Sequence, residues 1–228
     1  MYIILILLTH NAALSKPQLM FWVMKMVVYN VHPVNPQRRF IEATAHALAN
    51  DGSIAVYPTD TVYGIGACVT NPKGIEKIAR ILDKDKERLF SFICSDFSQI
   101  SRYVKLSNAH YRLMKRYLPG PYTFILNATN LVPKRIAPKR KTVGIRMPDC
   151  VTLLELVKLL GEPIANTSVN LEGAAANDPD EIKRAVQHNV DIMLDTGPID
   201  EPEPSTIVDL TADEPVLVRL GKGQWEED

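Results

Sequence analysis

Between about Val27 and the C-terminus, short β-branched or aromatic runs alternate with amphipathic stretches, and this alternation limits the fold more than any other feature. Ser53–Tyr57, Ala67–Thr70, Leu89–Cys94, Tyr122–Asn127, Thr142–Arg146, Ile164–Thr167, Val190–Leu194, Thr206–Leu210 and Val216–Arg219 have the length and residue types of strands. Helical periodicity fills the gaps. Asn35 is placed to cap a helix through Asn50, with Phe40, Ile41, Thr44, Ala45 and Leu48 on one face. Asn71-Pro72 opens a second helix carrying Ile75, Ile78, Ala79 and Leu82, and Ser98–Tyr103, Ser107–Leu118, Thr152–Leu160 and Asp178–His188 supply four more. The pattern predicts an α/β (α+β) fold, a single domain on a twisted mixed sheet rather than a doubly wound parallel one.

No repeat or Gly/Ser linker divides the chain, so residues 27–228 read as one domain. Residues 1–26 read as an extension upstream of the true start. Tyr2–Leu8 is apolar but far short of the ~20 residues a membrane span needs, no basic residues precede it, and Met20, Met24 and Met26 offer later starts. Lys plus Arg and Asp plus Glu number 26 each, so any nucleic-acid binding must come from a local patch such as the basic Arg112–Arg146 region. Cys68, Cys94 and Cys150 have no pairing or zinc spacing and read as structural thiols in a reducing, cytoplasmic setting. The common phosphate-loop, dinucleotide, serine-hydrolase and His-Glu-x-x-His signatures are absent, and the five histidines share no ligand spacing.

Polar clusters instead sit at the ends of apolar runs. Tyr57-Pro58-Thr59-Asp60-Thr61-Val62-Tyr63-Gly64 follows a strand that Pro58 must stop, and is expected to be a solvent-facing turn rich in hydrogen-bonding groups. A plain Asx turn with Gly64 in an unusual backbone conformation is the competing reading. Pro119-Gly120-Pro121-Tyr122-Thr123 is a rigid turn feeding a strand. Asn166-Thr167-Ser168-Val169-Asn170 ends a short apolar run in groups able to hold an oxyanion or a ribose. Arg146 and Arg219 each emerge from an apolar strand, where an unpaired guanidinium is costly, so both are expected to face a cleft or an anion.

Together with Ser205-Thr206-Ile207-Val208-Asp209, the order and spacing of these clusters resemble the YrdC/YciO family from about Asn35 to Arg219. The resemblance implies a YrdC-like domain with a large basic concave cavity. For the catalytic branch it implies a nucleotidyltransferase, threonylcarbamoyl-AMP synthase, that joins threonine, bicarbonate and ATP with Mg2+ for tRNA modification and passes its product to further modification proteins. By the same resemblance Thr61, Tyr63, Thr123, Arg146 and Ser205 face the amino-acid substrate, Ser168, Asn170 and Arg219 face the nucleotide, and no protein side chain is assigned to the metal. The Lys-x-Arg and Lys-Pro-Leu signature of that branch aligns with Leu82-Asp83-Lys84-Asp85-Lys86-Glu87-Arg88-Leu89-Phe90, leaving Lys84 and Arg88 as the catalytic cations and leucine where the family has its first lysine. This departure resembles the YciO-like branch, for which the alternative is a non-catalytic protein that binds double-stranded RNA or tRNA.

Overall fold

The computed structural model describes residues 26–82, 90–133, 141–169 and 175–226. Its strands are β1 Val27–Asn30, β2 Ala55–Tyr57, β3 Gly64–Cys68, β4 Ser91–Ile93, β5 Tyr122–Asn127, β6 Thr142–Arg146, β7 Ile164–Ser168, β8 Ile192–Asp195, β9 Thr206–Asp209 and β10 Val216–Arg219. Its helices are α1 Arg38–Leu48, α2 Pro72–Ile81, α3 Phe97–Tyr103, α4 Asn108–Tyr117, α5 Val151–Leu160 and α6 Pro179–Val186. The described strands form one mixed ten-stranded sheet in the order β1-β8-β2-β3-β7-β4-β6-β5-β9-β10.

Local chemistry sets most boundaries where the sequence places them. Asn71, Asp96, Ser107 and Asp178 each accept an amide of the first turn of α2, α3, α4 and α6, and Gly161 ends α5 in the left-handed region with φ 77°. Two of the differences have a visible physical cause. His32 Nδ1 accepts the amides of Val34 and Asn35 at 3.2 and 3.0 Å, which holds that segment as a turn, so Gln37 rather than Asn35 precedes α1. The strand predicted at Ala67–Thr70 is β3, which begins three residues earlier and ends two earlier, because Gly64 and Gly66 are strand residues rather than a turn. Strand β1 was not anticipated; it lies on the sheet edge, in parallel register with β8.

Alternation along the strands sorts the residues into two faces. On one, Val56, Ile65, Ala67, Phe92, Phe124, Ile145, Ala165, Met193 and Val208 pack under α2, α3, α4 and α6 through Ile75, Ile78, Ile100, Met114 and Ile182. On the other, Ala55, Tyr57, Ile93, Ile164, Ile192 and Leu194 pack under α1 and α5 through Ile41, Leu48, Leu153, Leu156 and Val157. That second face is only half covered. Beyond the helices, Ser91 on β4, Thr142 and Gly144 on β6, Ile125 and Asn127 on β5, and Ile207 and Asp209 on β9 are partly exposed, whereas the residues between them are buried. The result is a partly exposed strip of sheet across β4, β6, β5 and β9.

Candidate functional site

The segment after β2 forms one wall of this strip, and its placement begins with Tyr57. The Tyr57 ring lies flat where side chains on Gly64 and Gly66 would have been: a Cβ on Gly64 would meet Asn166 Oδ1 and the ring, and one on Gly66 would meet the phenol oxygen. Gly64 is therefore needed for a close approach, since its φ lies outside the left-handed region. The segment is not the solvent-facing turn read from sequence. Thr59 and Thr61 are buried, and Thr59 Oγ1 accepts the amides of Thr61 and Val62 at 3.0 and 3.2 Å, an internal hydroxyl turn rather than an Asx turn.

From Thr61 a chain of hydrogen bonds runs to Arg146. Arg146 Nη2 donates to Thr61 Oγ1 at 3.1 Å, and Thr61 and Thr59 hydroxyls meet at 2.9 Å. Thr59 in turn donates to the Val62 carbonyl at 2.6 Å. The same Nη2 pairs with Asp60 Oδ1 at 2.8 Å, and Asp60 Oδ2 accepts the Asp149 amide at 3.0 Å. Arg146 is buried and Asp60 nearly so, with side chains 6% and 9% exposed. Burial and the positive field of Arg219 lower the Arg146 pKa, while Asp60 and Tyr57 oppose the shift. Arg146 Nε is buried with no hydrogen-bond partner among the described residues.

Arg146 opens a row across four strands. Thr123 shares its face on β5 and pairs with Ile207 on β9, which pairs with Arg219 on β10. Thr123 and Ser205 hydroxyls lie 2.8 Å apart, and Arg219 donates from Nε and Nη2 to the Ser205 carbonyl at 3.1 and 2.7 Å. Arg219 reaches this face through a β-bulge. Leu217 opposes Val208 and Arg219 opposes Ile207, so Val218 is the extra residue and regular alternation, which would send Arg219 to the covered face, is broken.

Other residues singled out from sequence lie elsewhere. Ser168 is exposed and pairs with Gly64, two residues beyond Asn166, whereas Arg146 lies two residues the other way from the row Ser91–Asn166. Ser168 and Arg146 thus mark opposite ends of the strip, separated by roughly 13 Å along the strands and about 10 Å across them. Tyr63 is fully buried, and its hydroxyl donates to the Gly197 carbonyl at 2.8 Å and accepts the Thr196 amide at 3.1 Å, away from this cluster. Burial pushes its pKa up to about 12. Leu82, read as the position of a family lysine, is packed in the apolar core and does not line the strip. Lys84, Arg88 and Asn170 lie outside the described residues.

Sequence reasoning gave no site role to Ser91 or to the Tyr57 side chain, and it set Asp60 among the hydrogen-bonding groups of its segment without a partner. Asp60 stood in the quoted segment, but its partner is 86 residues away and becomes visible only with the sheet order. Among the described residues no group of three His, Cys, Asp or Glu could hold a metal ion, and no helix is long and apolar enough to cross a membrane.

The Sua5/YciO/YrdC family model, described as telomere recombination, matches residues 47–221. An uncharacterized protein of Haemophilus influenzae is 40% identical over 199 residues, 86% of this chain and 95% of that protein. The uncharacterized protein YciO of Escherichia coli K12 is 39% identical over 198 residues with the same coverage. A crystal structure of E. coli YciO superposes with a TM-score of 0.80 at 38% identity, covering 87% of this chain and 97% of that one. More distant is the threonylcarbamoyl-AMP synthase of Pyrococcus abyssi, 29% identical over 185 residues, 80% of this chain and 54% of that protein. The crystal structure of P. abyssi Sua5 complexed with L-threonine superposes with a TM-score of 0.80 at 27% identity, covering 86% of this chain and 58% of that one. On sequence match and fold alike, the chain belongs to the Sua5/YciO/YrdC family.

Proposed function

We propose that the strip binds L-threonine and ATP together and that the protein makes threonylcarbamoyl-AMP. The observation that carries this reading is the division of the strip into two ends too far apart for one small ligand. Thr61, Arg146, Thr123 and Ser205 form an end of donors around a buried guanidinium with an unpartnered Nε, suited to an amino-acid carboxylate. Ser168 marks the other end, and a nucleotide touching both it and Arg219 would lie along the exposed sheet between them. An elongated, two-part ligand fits that spacing; the distant relatives named for this activity, one solved with L-threonine, support the assignment.

In this reaction the threonine amine takes up bicarbonate, losing water, to give N-carboxythreonine. Its carboxylate oxygen then attacks the α-phosphorus of ATP, the bond to the β-phosphate oxygen breaks, and pyrophosphate leaves. The side chains here position and neutralise; none is a nucleophile. Asp60 is occupied by Arg146 and the Asp149 amide, so magnesium would arrive on the nucleotide phosphates and supply charge neutralisation there. Lys84 and Arg88, between α2 and β4 in the sequence, are the proposed cations for the reacting groups.

The test is pyrophosphate release by the purified protein with ATP, Mg2+, bicarbonate and L-threonine. Release that requires threonine supports the reading, and its absence overturns it. A second reading, binding of double-stranded RNA or tRNA without chemistry, is favoured by one observation: Phe97–Pro148 contains eleven Lys and Arg and no Asp or Glu. It predicts salt-sensitive, sequence-indifferent RNA binding in place of turnover.

A further inference from the structure

We propose that Ser91 is an additional ligand-contacting residue of the strip, its hydroxyl aimed by a buried relay through Tyr57 and Asn166. This rests on the two-ended ligand reading above and extends it to the middle of the strip, to which no role has been given. Tyr57 is fully buried and donates to Asn166 Oδ1 at 3.0 Å. With its carbonyl so engaged, Asn166, itself 3% exposed, turns its amide toward β4 and Nδ2 donates to Ser91 Oγ at 3.4 Å. Burial raises the Tyr57 pKa well above that of a free phenol, so Tyr57 stays a donor across the working range and the amide stays in one orientation.

The relay ends on an oxygen that still has a proton to give. Ser91 Oγ accepts from Asn166 and makes no other hydrogen bond among the described residues, and Ser91 is partly exposed on the open face. Its register partner on β6 is Gly144. A Cβ there would lie 3.1 Å from the Thr123 methyl and 3.6 Å from Ser91 Cβ, so Gly144 is a bare floor flanked by two hydroxyl-bearing residues. A group resting on that floor meets the Ser91 O–H from one side. The chemistry it fits is an acceptor oxygen, from a carboxylate or a phosphate, located between the Arg146 end and the Ser168 end. The relay also accounts for Gly64 and Gly66, since side chains at either would displace Tyr57 or Asn166.

Tyr57 and Asn166 are then positioning residues, and their effect must pass through Ser91. Calorimetric titration of the full chain, with L-threonine in one series and Mg2+-ATP in another, separates the two oxygen sources. Ser91→Ala is expected to weaken one of these ligands about three- to tenfold, the worth of one net hydrogen bond, and Ser91→Thr to restore it. Tyr57→Phe is expected to weaken the same ligand similarly in the Ser91 protein and to add nothing to Ser91→Ala. Unchanged affinity of a folded Ser91→Ala protein for both ligands overturns the assignment and leaves the two-ended reading standing. Losses that simply multiply in the double variant overturn the relay. Should Tyr57→Phe fail to fold, the contrast between Ser91→Ala and Ser91→Thr still decides. A wild-type protein that binds neither ligand removes both the assignment and the reading under it.

Discussion

At the scale of single residues, the Asp60–Arg146 pair holds the site to the fold. Sequence marks both as unusual, an arginine leaving an apolar strand and an acid among hydroxyls, but not as partners. Pairing depends on the Pro58–Val62 segment folding back over the sheet, which no local pattern encodes. Asp60→Ala leaves a guanidinium buried without its counter-charge and should cost about 3–5 kcal/mol in urea unfolding. Replacing both with apolar residues of similar volume should recover much of that loss, whereas a loss under about 1 kcal/mol for Asp60→Ala would mean that solvent reaches Arg146. Leu82 teaches the reverse lesson. Alignment assigned it to the reactive centre, yet it caps α2 inside the core, because helix periodicity with Ile75 and Ile78 outweighs motif position. Leu82→Lys should therefore not add activity; it should destabilise by at least the about 2–5 kcal/mol of a truncated core leucine, read from the same unfolding curves.

At the scale of elements, runs of three to six residues were legible because β-branching, prolines and caps all agree within them. Strands β5, β6 and β10 begin and end where the sequence places them. What the runs do not encode is which face a side chain takes once pairing becomes irregular. Arg219 is the clear case. By alternation it belongs with Leu217 on the covered face, and the extra residue Val218 turns it toward Ser205. Deleting Val218 removes the extra residue and restores regular pairing with Arg219 still opposite Ile207 on the open face, so Mg2+-ATP binding should match the wild type, whereas Arg219→Ala should weaken it. Val218→Ala, which keeps the bulge, should bind as the wild type. Since Trp225 stacks on Tyr117 and the Tyr122 hydroxyl holds the Gln224 carbonyl, the segment after β10 has its own anchors in a deletion variant. Equal affinity for Arg219→Ala and the wild type in calorimetry would separate Arg219 from the nucleotide.

At the scale of the whole molecule, the sheet order was the least legible feature, because β8 and β7 are inserted between strands far from them in sequence. Tyr63 is one tie that fixes this order, linking the entry to β3 with the turn after β8 through Thr196 and Gly197. Its buried phenol makes stability depend on alkaline pH in a definite direction. The ordinary value is 10.0 and the folded value about 12, so between these the unfolded chain loses a proton that the native state keeps. The Tyr63 contribution is complete below pH 10 and is lost as pH rises toward 12, at about 1.4 kcal/mol per pH unit. Buried Tyr57, also shifted upward, acts in the same sense. The acid side is governed differently. Burial alone would raise the Glu162 pKa, but hydrogen bonds from Tyr103 and Arg102 outweigh it and leave it below 4.5, so its contribution is present above pH 4.5 and lost as pH falls through the lower native value. Urea midpoints measured from pH 3 to pH 12 should therefore fall at both ends. Tyr63→Phe should make the alkaline limb shallower by the slope of one group without altering the acid limb, and Glu162→Gln should do the opposite. An alkaline limb unchanged by Tyr63→Phe would show that its hydroxyl ionises freely in the native state, and the tie between β3 and β8 would have to be carried by the backbone alone.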